Sequence, residues 1–325
     1  LASGSAHPEL TQATADYMGV KVWDVVHRQH ADGELYVHYK KTIRGKDVFI
    51  MQPHVAADGR SPQDAIFEHY LLIDAARRAS ANSITAVAPL YGYGRSDRKV
   101  EGREPIGAAL NSYLLEKAGV NRIVSVELHS AQVQGAFPGP FDQLTAGPVL
   151  CEELIKTHIQ GKDLDKFLVV SPDLGGVKIA ERYADELQLP WVPMFKKRDP
   201  KGSDRVTRSN ITVPEADGRI CFLPDDLIAT GGTLVSAATI LKESGAEKVI
   251  AVATHGTFSD STFTNLRQDV IDEVVITDTV PMRYAQERLD HKLRVVSVAP
   301  PIGQAIIEIA TGGSVSKLFG GHNHS

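Results

Sequence analysis

The chain contains the stretch Pro224-Asp-Asp-Leu-Ile-Ala-Thr-Gly-Gly-Thr233, which follows the apolar run of residues 220–223. We predict a buried strand that ends in the two carboxylates and turns through Thr-Gly-Gly-Thr into a helix beginning near Leu234. This turn offers backbone N–H groups, two hydroxyls and a helix N-terminus, which together suit a phosphate group. The adjacent carboxylates repel each other, so we expect them to meet a cation or a hydroxyl-rich ligand. The alternative, a capped turn with solvated acids, is disfavoured by the density of specific residues.

Similar short apolar runs recur along the chain and alternate with stretches of helical pattern. They are residues 48–51, 84–89, 123–128, 167–170, 249–253, 274–276 and 295–298. Strands that alternate with helices are typical of the α/β class with parallel sheets. Ligands of such sheets bind beyond the carboxyl ends of the strands, which is where the Asp-Asp and Thr-Gly-Gly-Thr residues are expected.

An internal repeat is visible in the sequence. Residues 116–129 match residues 242–255 in pattern, each with a helix end, a glycine, a strand and a histidine, and residues 48–54 resemble residues 167–173. We therefore predict two homologous doubly wound parallel-sheet domains. The expected domains are residues 1–143 and residues 144–325, with the last segment, about 295–319, packing back on the first domain.

Composition excludes several classes of protein. The 325 residues are 42% hydrophobic and 23% charged, which fits two globular domains. With 35 Lys and Arg against 40 Asp and Glu, the net charge of -5 provides no general field for nucleic acid or an anionic membrane. No apolar run approaches the roughly 20 residues of a membrane helix. Cys151 and Cys221 are too few for a disulfide framework and predict core thiols of a cytoplasmic protein.

A second stretch with chemical potential, residues 91–103, follows a strand. It combines glycines with a cluster of basic residues, whose guanidinium groups suit polyphosphate. The basic residues are Arg95, Arg98, Lys99 and Arg103. A solvated loop is the alternative, and Gly92 with Gly94 lacks the third glycine of a dinucleotide site. The chain has no Gly-x-x-x-x-Gly-Lys-Ser/Thr motif, so a P-loop kinase is excluded.

Two further features carry less weight when taken alone. His129 and Asp173 each follow a predicted strand, and a lone histidine there is more often structural than a metal ligand. Residues 195–208 are rich in basic side chains and contain proline and glycine, which predicts a surface loop. Such a loop is either a solubilising segment or part of an anion site.

Taken in order, these stretches resemble one family, the ribose-phosphate diphosphokinases (phosphoribosyl-diphosphate synthetases), which have the type I phosphoribosyltransferase fold. The resemblance runs from about residue 1 to residue 319. It is carried by Ala31-Asp-Gly-Glu34, Pro89-Leu-Tyr-Gly-Tyr-Gly-Arg-Ser-Asp-Arg-Lys99, Glu127-Leu-His-Ser-Ala-Gln-Val-Gln-Gly135, Ser171-Pro-Asp-Leu-Gly-Gly176 and Pro224-Asp-Asp-Leu-Ile-Ala-Thr-Gly-Gly-Thr233. It implies transfer of the β,γ-diphosphoryl group of Mg-ATP to the anomeric hydroxyl of ribose 5-phosphate, giving 5-phosphoribosyl 1-diphosphate and AMP.

The resemblance also implies a role for each matching residue. The residues implied to bind ribose 5-phosphate are Asp225, Asp226, Ala229, Thr230, Gly231, Gly232 and Thr233. Those implied to bind ATP are Arg95, Ser96, Asp97 and His129, with Asp32 and Glu34 supplied by a neighbouring subunit. His129 and Asp173 are the implied contacts of Mg²⁺, and Lys196 and Arg198 the implied catalytic residues of a closing loop, in which a shift of one position would favour Lys197.

The sequence departs from the family pattern at three positions, two of which are among these residues. Ala229 stands where many relatives carry Asp, Ser96 replaces a usual Gln, and His30 replaces a usual Phe. These departures leave open a catalytically silent regulatory subunit, although the other implied site residues are present. A base-specific phosphoribosyltransferase is disfavoured because it usually has one such domain. Because a neighbour supplies part of the implied site, we expect a homo-oligomer built from dimers, up to a hexamer.

Overall fold

The computed structural model describes residues 1–194 and 212–319. The chain forms two compact units. The first comprises Leu1–Ala146, Asp278–Pro281 and Ser297–Ser325, and the second comprises Gly147–Thr277 and Met282–Val296. The chain therefore leaves the second unit twice near its C-terminal end.

Strands and α-helices alternate along most of the described chain. The strands are β1 (Ala2–Ser3), β2 (Val25–Gln29), β3 (Leu35–Tyr39), β4 (Asp47–Met51), β5 (Ser83–Ala88), β6 (Arg122–Val126), β7 (Phe141–Leu144), β8 (Phe167–Ser171), β9 (Trp191–Pro193), β10 (Ile220–Ile228), β11 (Lys248–Gly256), β12 (Glu273–Thr277) and β13 (Leu293–Val296). The α-helices are α1 (Pro8–Met18), α2 (Pro62–Arg78), α3 (Gly107–Ala118), α4 (Gly147–Leu154), α5 (Val177–Leu187), α6 (Gly232–Glu243), α7 (Asp260–Leu266), α8 (Arg283–Leu289) and α9 (Ala299–Thr311).

The first unit is built on a parallel sheet with the strand order β1-β4-β5-β6-β7. Strands β2 and β3 form a separate antiparallel hairpin. Helix α2 begins at Pro62, because Ser61 caps it, Asp64 completes the capping box and Pro62 occupies its first position. Its Ile66 and Ile73 side chains are buried in the core.

The second unit is built on a parallel sheet with the order β13-β12-β11-β10-β8-β9. Strands β4 and β8 each lie one position in from an edge, and β6 and β11 lie two positions further along. The two sheets therefore place the repeated sequences at corresponding positions. The prediction of two parallel-sheet α/β domains is confirmed.

One strand boundary differs from the expectation. We predicted that the strand would end at Asp225 and Asp226, but β10 continues to Ile228. Its last residues pair with β11, with Leu227 opposite His255 and Ile228 opposite Gly256. Pairing with a long neighbour therefore outweighs the low strand preference of Pro and Asp. Among the helices in residues 1–194 and 212–319, none is long and apolar enough to cross a membrane.

Candidate active site

The C-terminal end of β10 and the residues that follow it contain the predicted carboxylates and the predicted phosphate-binding turn of the second unit. Asp225 and Asp226 lie within the strand and are half-buried. Residues 229–233, here called the Thr-Gly loop, connect the strand to α6. The expected sequence of carboxylates, turn and helix is thus present in one continuous segment.

Asp225, beside this loop, is influenced electrostatically by two other carboxylates, Asp226 and Asp173. The backbone N–H of Asp226 donates to Oδ1 of Asp225 across 2.8 Å. Burial, a hydrogen bond to Asp226 and the charges of Asp226 and Asp173 raise the pKa of Asp225 to about 8. A carboxyl group with this pKa holds a proton near neutral pH, which relieves the repulsion in the absence of a ligand. The cluster is therefore suited to a ligand that brings positive charge or hydroxyl groups.

Asp173 begins the turn that follows β8. Its Oδ1 accepts hydrogen bonds from the N–H groups of Gly175 (2.9 Å) and Gly176 (3.0 Å), and its carbonyl accepts one from the Ser171 hydroxyl. These contacts hold one carboxylate oxygen in the turn. The side chain is half-buried, and its charge acts on Asp225.

The Thr-Gly loop has the geometry of an anion site. Gly231 adopts the left-handed conformation with φ 74°, which L side chains rarely adopt. Helix α6 begins at Gly232 without a side-chain cap, and Thr230, Gly232 and Thr233 are exposed. Because the first N–H groups of a helix have no partner inside the helix, this end of α6 is equipped to bind an anion.

Predicted nucleotide contacts of the first unit lie in three places: the β2–β3 hairpin, the residues just beyond β6, and residues 91–103. Asp32 and Glu34 are exposed at the turn of the β2–β3 hairpin, where the Glu34 N–H donates to Oδ1 of Asp32 across 3.1 Å. His129 is exposed just beyond β6. The repeat-equivalent His255, in contrast, is buried within β11.

Residues 91–103, here called the arginine loop, follow β5 and precede α3. Arg95 is exposed, and Ser96 and Asp97 are half-buried. The Ser96 N–H donates to the carbonyl of Tyr93, and the Ser96 carbonyl accepts from the N–H of Ala108 at the start of α3. Ser96 therefore ties the loop to the helix through its backbone.

Gly92 of the arginine loop has a role that the sequence did not indicate. A Cβ atom there would lie 2.7 Å from Ile66 and 3.0 Å from the Cβ of His54, so the core leaves no space for a side chain. Its N–H donates to Nδ1 of His54 across 2.9 Å. This glycine therefore serves internal packing at the base of the loop rather than approach to a ligand.

The sequence did not predict the side chains that hydrogen-bond to the backbone of the two loops. Thr262 and Asn265 on α7 hold two carbonyls of the Thr-Gly loop, and His54 holds the arginine loop. The polar residues of α7 form no known motif, so no sequence signal pointed to them. His54 did carry a signal, because it is the repeat-equivalent of Asp173.

Lys196, Arg198 and the alternative Lys197 lie outside the described residues. The described residues contain no group of three or more His, Cys, Asp or Glu side chains arranged to hold a metal ion. This is compatible with Mg²⁺, which usually binds one or two carboxylates, waters and substrate phosphates rather than an all-protein cage. The carboxylate oxygens of Asp173 are of the donor type that such a hard cation prefers.

Known proteins of one family match nearly the whole chain. Residues 1–119 match the N-terminal domain of ribose phosphate pyrophosphokinase, and residues 200–320 match the phosphoribosyl synthetase-associated domain. The chain is 43% identical to a ribose-phosphate pyrophosphokinase of Streptomyces avermitilis over 98% of this chain and 94% of that protein. It is 41% identical to one of Corynebacterium glutamicum over 99% and 95%.

A solved structure shows the same fold. The phosphoribosylpyrophosphate synthetase from Mycobacterium smegmatis superposes with a TM-score of 0.85 at 38% identity, covering 96% of this chain and 98% of that one. The match therefore spans nearly the full length of both chains. The chain belongs to the ribose-phosphate pyrophosphokinase family, a family of ATP-dependent enzymes that transfer diphosphoryl groups.

Proposed function

We propose that the chain transfers the β,γ-diphosphoryl group of ATP to the anomeric hydroxyl of ribose 5-phosphate, giving 5-phosphoribosyl 1-diphosphate and AMP. One observation carries the proposal beyond family membership. The Asp225–Asp226 pair and the uncapped start of α6 lie at the same end of β10, so one segment offers groups for hydroxyls and for a phosphate. A sugar phosphate carries both.

Asp225 and Asp226 bind the ribose hydroxyls in this proposal. A carboxyl pair that holds one proton, as the pKa of about 8 for Asp225 implies, offers both hydrogen-bond acceptors and a donor. Ribose hydroxyls can use both. The 5-phosphate is bound by the N–H groups and hydroxyls of the Thr-Gly loop, residues 229–233, in which Ala229 contributes only its backbone.

ATP is held by residues of the first unit. The guanidinium of Arg95 suits the triphosphate, and Ser96 and Asp97 beside it supply polar contacts. His129 lies near the phosphates in the same assignment. Asp32 and Glu34 contact the adenine of a neighbouring subunit, and their exposure at a hairpin turn supports that role.

The chemical step is an attack of the anomeric oxygen on the β-phosphorus of ATP. The bond between this phosphorus and the oxygen that bridges to the α-phosphate breaks, AMP leaves with the electron pair, and the hydroxyl proton is released. Charge grows on phosphoryl oxygens, so Lys196 and Arg198 are assigned to neutralise it. No covalent enzyme intermediate is required.

Mg²⁺ is the proposed cofactor, with His129 and Asp173 assigned as its protein contacts. When bound, it would neutralise phosphate charge and orient the triphosphate. Asp173 retains one carboxylate oxygen outside its turn hydrogen bonds to the N–H groups of Gly175 and Gly176.

The enzyme is proposed to act in the cytoplasm as a homo-oligomer built from dimers. Cys151 and Cys221 are free and buried, and burial raises the pKa of each thiol to about 12, which suits a reducing compartment.

A subunit-mixing experiment tests whether neighbouring subunits share a site. A variant lacking Asp32 and Glu34 and an Asp226→Ala variant are each expected to have low activity. When the two variants are mixed and exchange subunits, part of the activity should return. Absence of any recovery after verified exchange would place each site within one subunit.

The reaction itself is tested by incubating pure protein with Mg-ATP and ribose 5-phosphate and separating the products. We expect AMP and 5-phosphoribosyl 1-diphosphate in equal amounts, and neither when ribose 5-phosphate is omitted. Formation of ADP would indicate transfer of a single phosphoryl group, and no turnover would favour a silent regulatory subunit. Asp226→Ala should abolish most of the activity, whereas the exposed Asp269→Asn serves as its matched control.

A further inference from the structure

Helix α7 lies against the Thr-Gly loop and holds two of its carbonyl groups. The hydroxyl of Thr262 donates to the carbonyl of Ala229, and Nδ2 of Asn265 donates to the carbonyl of Thr230 across 2.8 Å. Thr262 is fully buried. Two consecutive peptide groups of the loop are therefore fixed by side chains of one helix.

The direction of the Thr262 hydroxyl follows from its contacts taken together. Its oxygen accepts the backbone N–H of Ser259 across 3.0 Å at the start of α7 and lies 3.0 Å from the Ser259 hydroxyl, which can donate to it. The carbonyl of Ala229 can only accept, so the single hydroxyl proton of Thr262 must point to it. This oxygen therefore joins the start of α7 to the loop.

Holding the carbonyls also sets the direction of the N–H groups. A trans peptide group is planar, so its N–H points opposite to its C=O. When the carbonyls of Ala229 and Thr230 point toward α7, the N–H groups of Thr230 and Gly231 point away from it. These are N–H groups that the proposed function assigns to the 5-phosphate.

Gly231 is in direct contact with the same helix. A Cβ atom at this glycine would lie 3.5 Å from Leu266 and 3.6 Å from Asn265. The left-handed turn at Gly231 is thus packed on α7, and α6 starts immediately after it without a side-chain cap. A shift of α7 would therefore move the N–H groups at the start of α6.

We infer that Thr262 and Asn265 are positioning residues for the 5-phosphate of the substrate. They orient the N–H groups of the Thr-Gly loop before ribose 5-phosphate binds, and neither touches the substrate. The inference rests on the proposed function, because it concerns the same site. Preorganised donors bind an anion without the cost of ordering the loop, so loss of either side chain should weaken binding of the phosphate-bearing substrate specifically.

The test compares variants on one helix. Thr262→Val keeps the shape and removes the hydroxyl, with both its donor and its acceptor role. Thr262→Ser keeps the hydroxyl, and Asn265→Ala removes the second hydrogen bond to the loop. Thr264→Val on the exposed side of α7 is the matched control. Binding of ribose 5-phosphate and of ATP is measured by calorimetry for each variant, together with KM for both substrates.

We expect T262V and N265A each to weaken binding of ribose 5-phosphate about tenfold and to leave ATP binding within about twofold. T262S should bind like the wild type, and T264V should be unchanged. Because Asn265 is not buried, N265A gives a result even where T262V fails to fold. Equal loss for both substrates, or unchanged binding in T262V and N265A, would overturn the positioning role alone. A wild-type chain that binds no ribose 5-phosphate would overturn the proposed function, and the positioning role with it.

Discussion

The ring of His54 donates a hydrogen bond from Nε2 to Nδ1 of His69 across 3.1 Å, in the buried core of the first unit. The hydrogen-bond partner on the far side of each ring determines the tautomer of that histidine. The N–H of Gly92 donates to Nδ1 of His54, and Nε2 of His69 faces the carbonyl of Ile50, which can only accept. Every ring nitrogen is used in the neutral state, so a further proton on either ring would face an N–H group.

Acidification is therefore predicted to destabilise the chain through this pair. Burial lowers the pKa of His69 to about 4, although the hydrogen bond to Ile50 and the charge of Glu68 oppose the shift. Burial, together with the neighbouring His69, lowers the pKa of His54 well below its usual value. The unfolded chain takes up these protons near pH 6.5 and the native chain does not, so stability is full above pH 6.5 and falls below it. The loss should approach about 1.4 kcal/mol per pH unit for each histidine.

Urea unfolding between pH 7.5 and 5 measures this slope. The double variant His54→Asn, His69→Leu should show a shallower dependence on pH than the wild type, whatever its stability at pH 7.5. The exposed His291→Asn should keep the wild-type slope. Equal slopes for the wild type and the double variant would assign the acid sensitivity to other groups.

Local sequence signals predicted most of the fold and the segments that carry the candidate site residues. They did not predict the side chains that hold those segments in place. The recurring apolar runs predicted the strands, since each run is visible in a few neighbouring residues, and the internal repeat predicted that they form two similar sheets. The extension of β10 past Asp226 was missed because its pairing with β11 is tertiary. The bonds from Thr262 and Asn265 to the Thr-Gly loop were missed for the same reason, since they join residues more than thirty positions apart.

Replacement of Asp225 by Asn is predicted to stabilise the ligand-free protein and to impair its activity. The pKa of Asp225 is raised to about 8, mainly by burial, so the native chain keeps a proton that the unfolded chain releases near pH 4. Its contribution is therefore most favourable at low pH and is lost as pH rises toward 8. Asp225→Asn should be more stable than the wild type at pH 8, and this difference should shrink toward pH 4.

The same variant should lower kcat/KM for ribose 5-phosphate by about 10- to 100-fold, because an amide at this position disrupts the carboxyl pair that is assigned to the ribose hydroxyls. Thermal unfolding and initial rates measured on one preparation provide both results. Asp269→Asn, at an exposed position, should change neither. A variant that is both less stable at pH 8 and fully active would contradict the assignment of Asp225.

The basic residues of the segment 195–208 are predicted to affect the rate of the chemical step rather than substrate binding. Lys196→Ala and Arg198→Ala should each lower kcat by about 100-fold or more, with ATP binding nearly unchanged, because they are assigned to charge that develops in the transition state. Steady-state rates and calorimetric ATP titrations separate the two effects. Lys201→Ala in the same loop is the control. Loss of activity in Lys197→Ala alone would show that the register is shifted by one position.

The nucleotide site is predicted to select ATP less strictly than the family pattern implies. His30 stands in the place of a usual Phe and packs edge-on against Tyr36, with ring centroids 6.0 Å apart, and Ser96 replaces a usual Gln. A smaller and more polar ring stacks less on adenine. The ratio of kcat/KM for ATP to that for GTP should lie below about 10⁴ and should rise in His30→Phe. A higher ratio in the wild type would mean that other residues compensate.

Ala229, where many relatives carry Asp, is predicted to be compatible with full activity. Its carbonyl is held by Thr262, and the N–H groups that follow it are assigned to the 5-phosphate, so the site needs the backbone at this position. A carboxylate there would repel the phosphate, and the attacking oxygen belongs to the sugar, so the step requires no base at residue 229. Ala229→Asp should change kcat/KM for ribose 5-phosphate by less than about tenfold, or about 1.4 kcal/mol.

Asp226→Ala should cost far more, because this carboxylate is assigned to the ribose hydroxyls and is coupled to Asp225. Assays of the wild type, Ala229→Asp and Asp226→Ala under identical conditions give the comparison. The order of activity should place the first two close together and Asp226→Ala well below them. If the wild type were inert and Ala229→Asp active, the missing carboxylate would be decisive, and the chain would function as a regulatory subunit rather than as an enzyme.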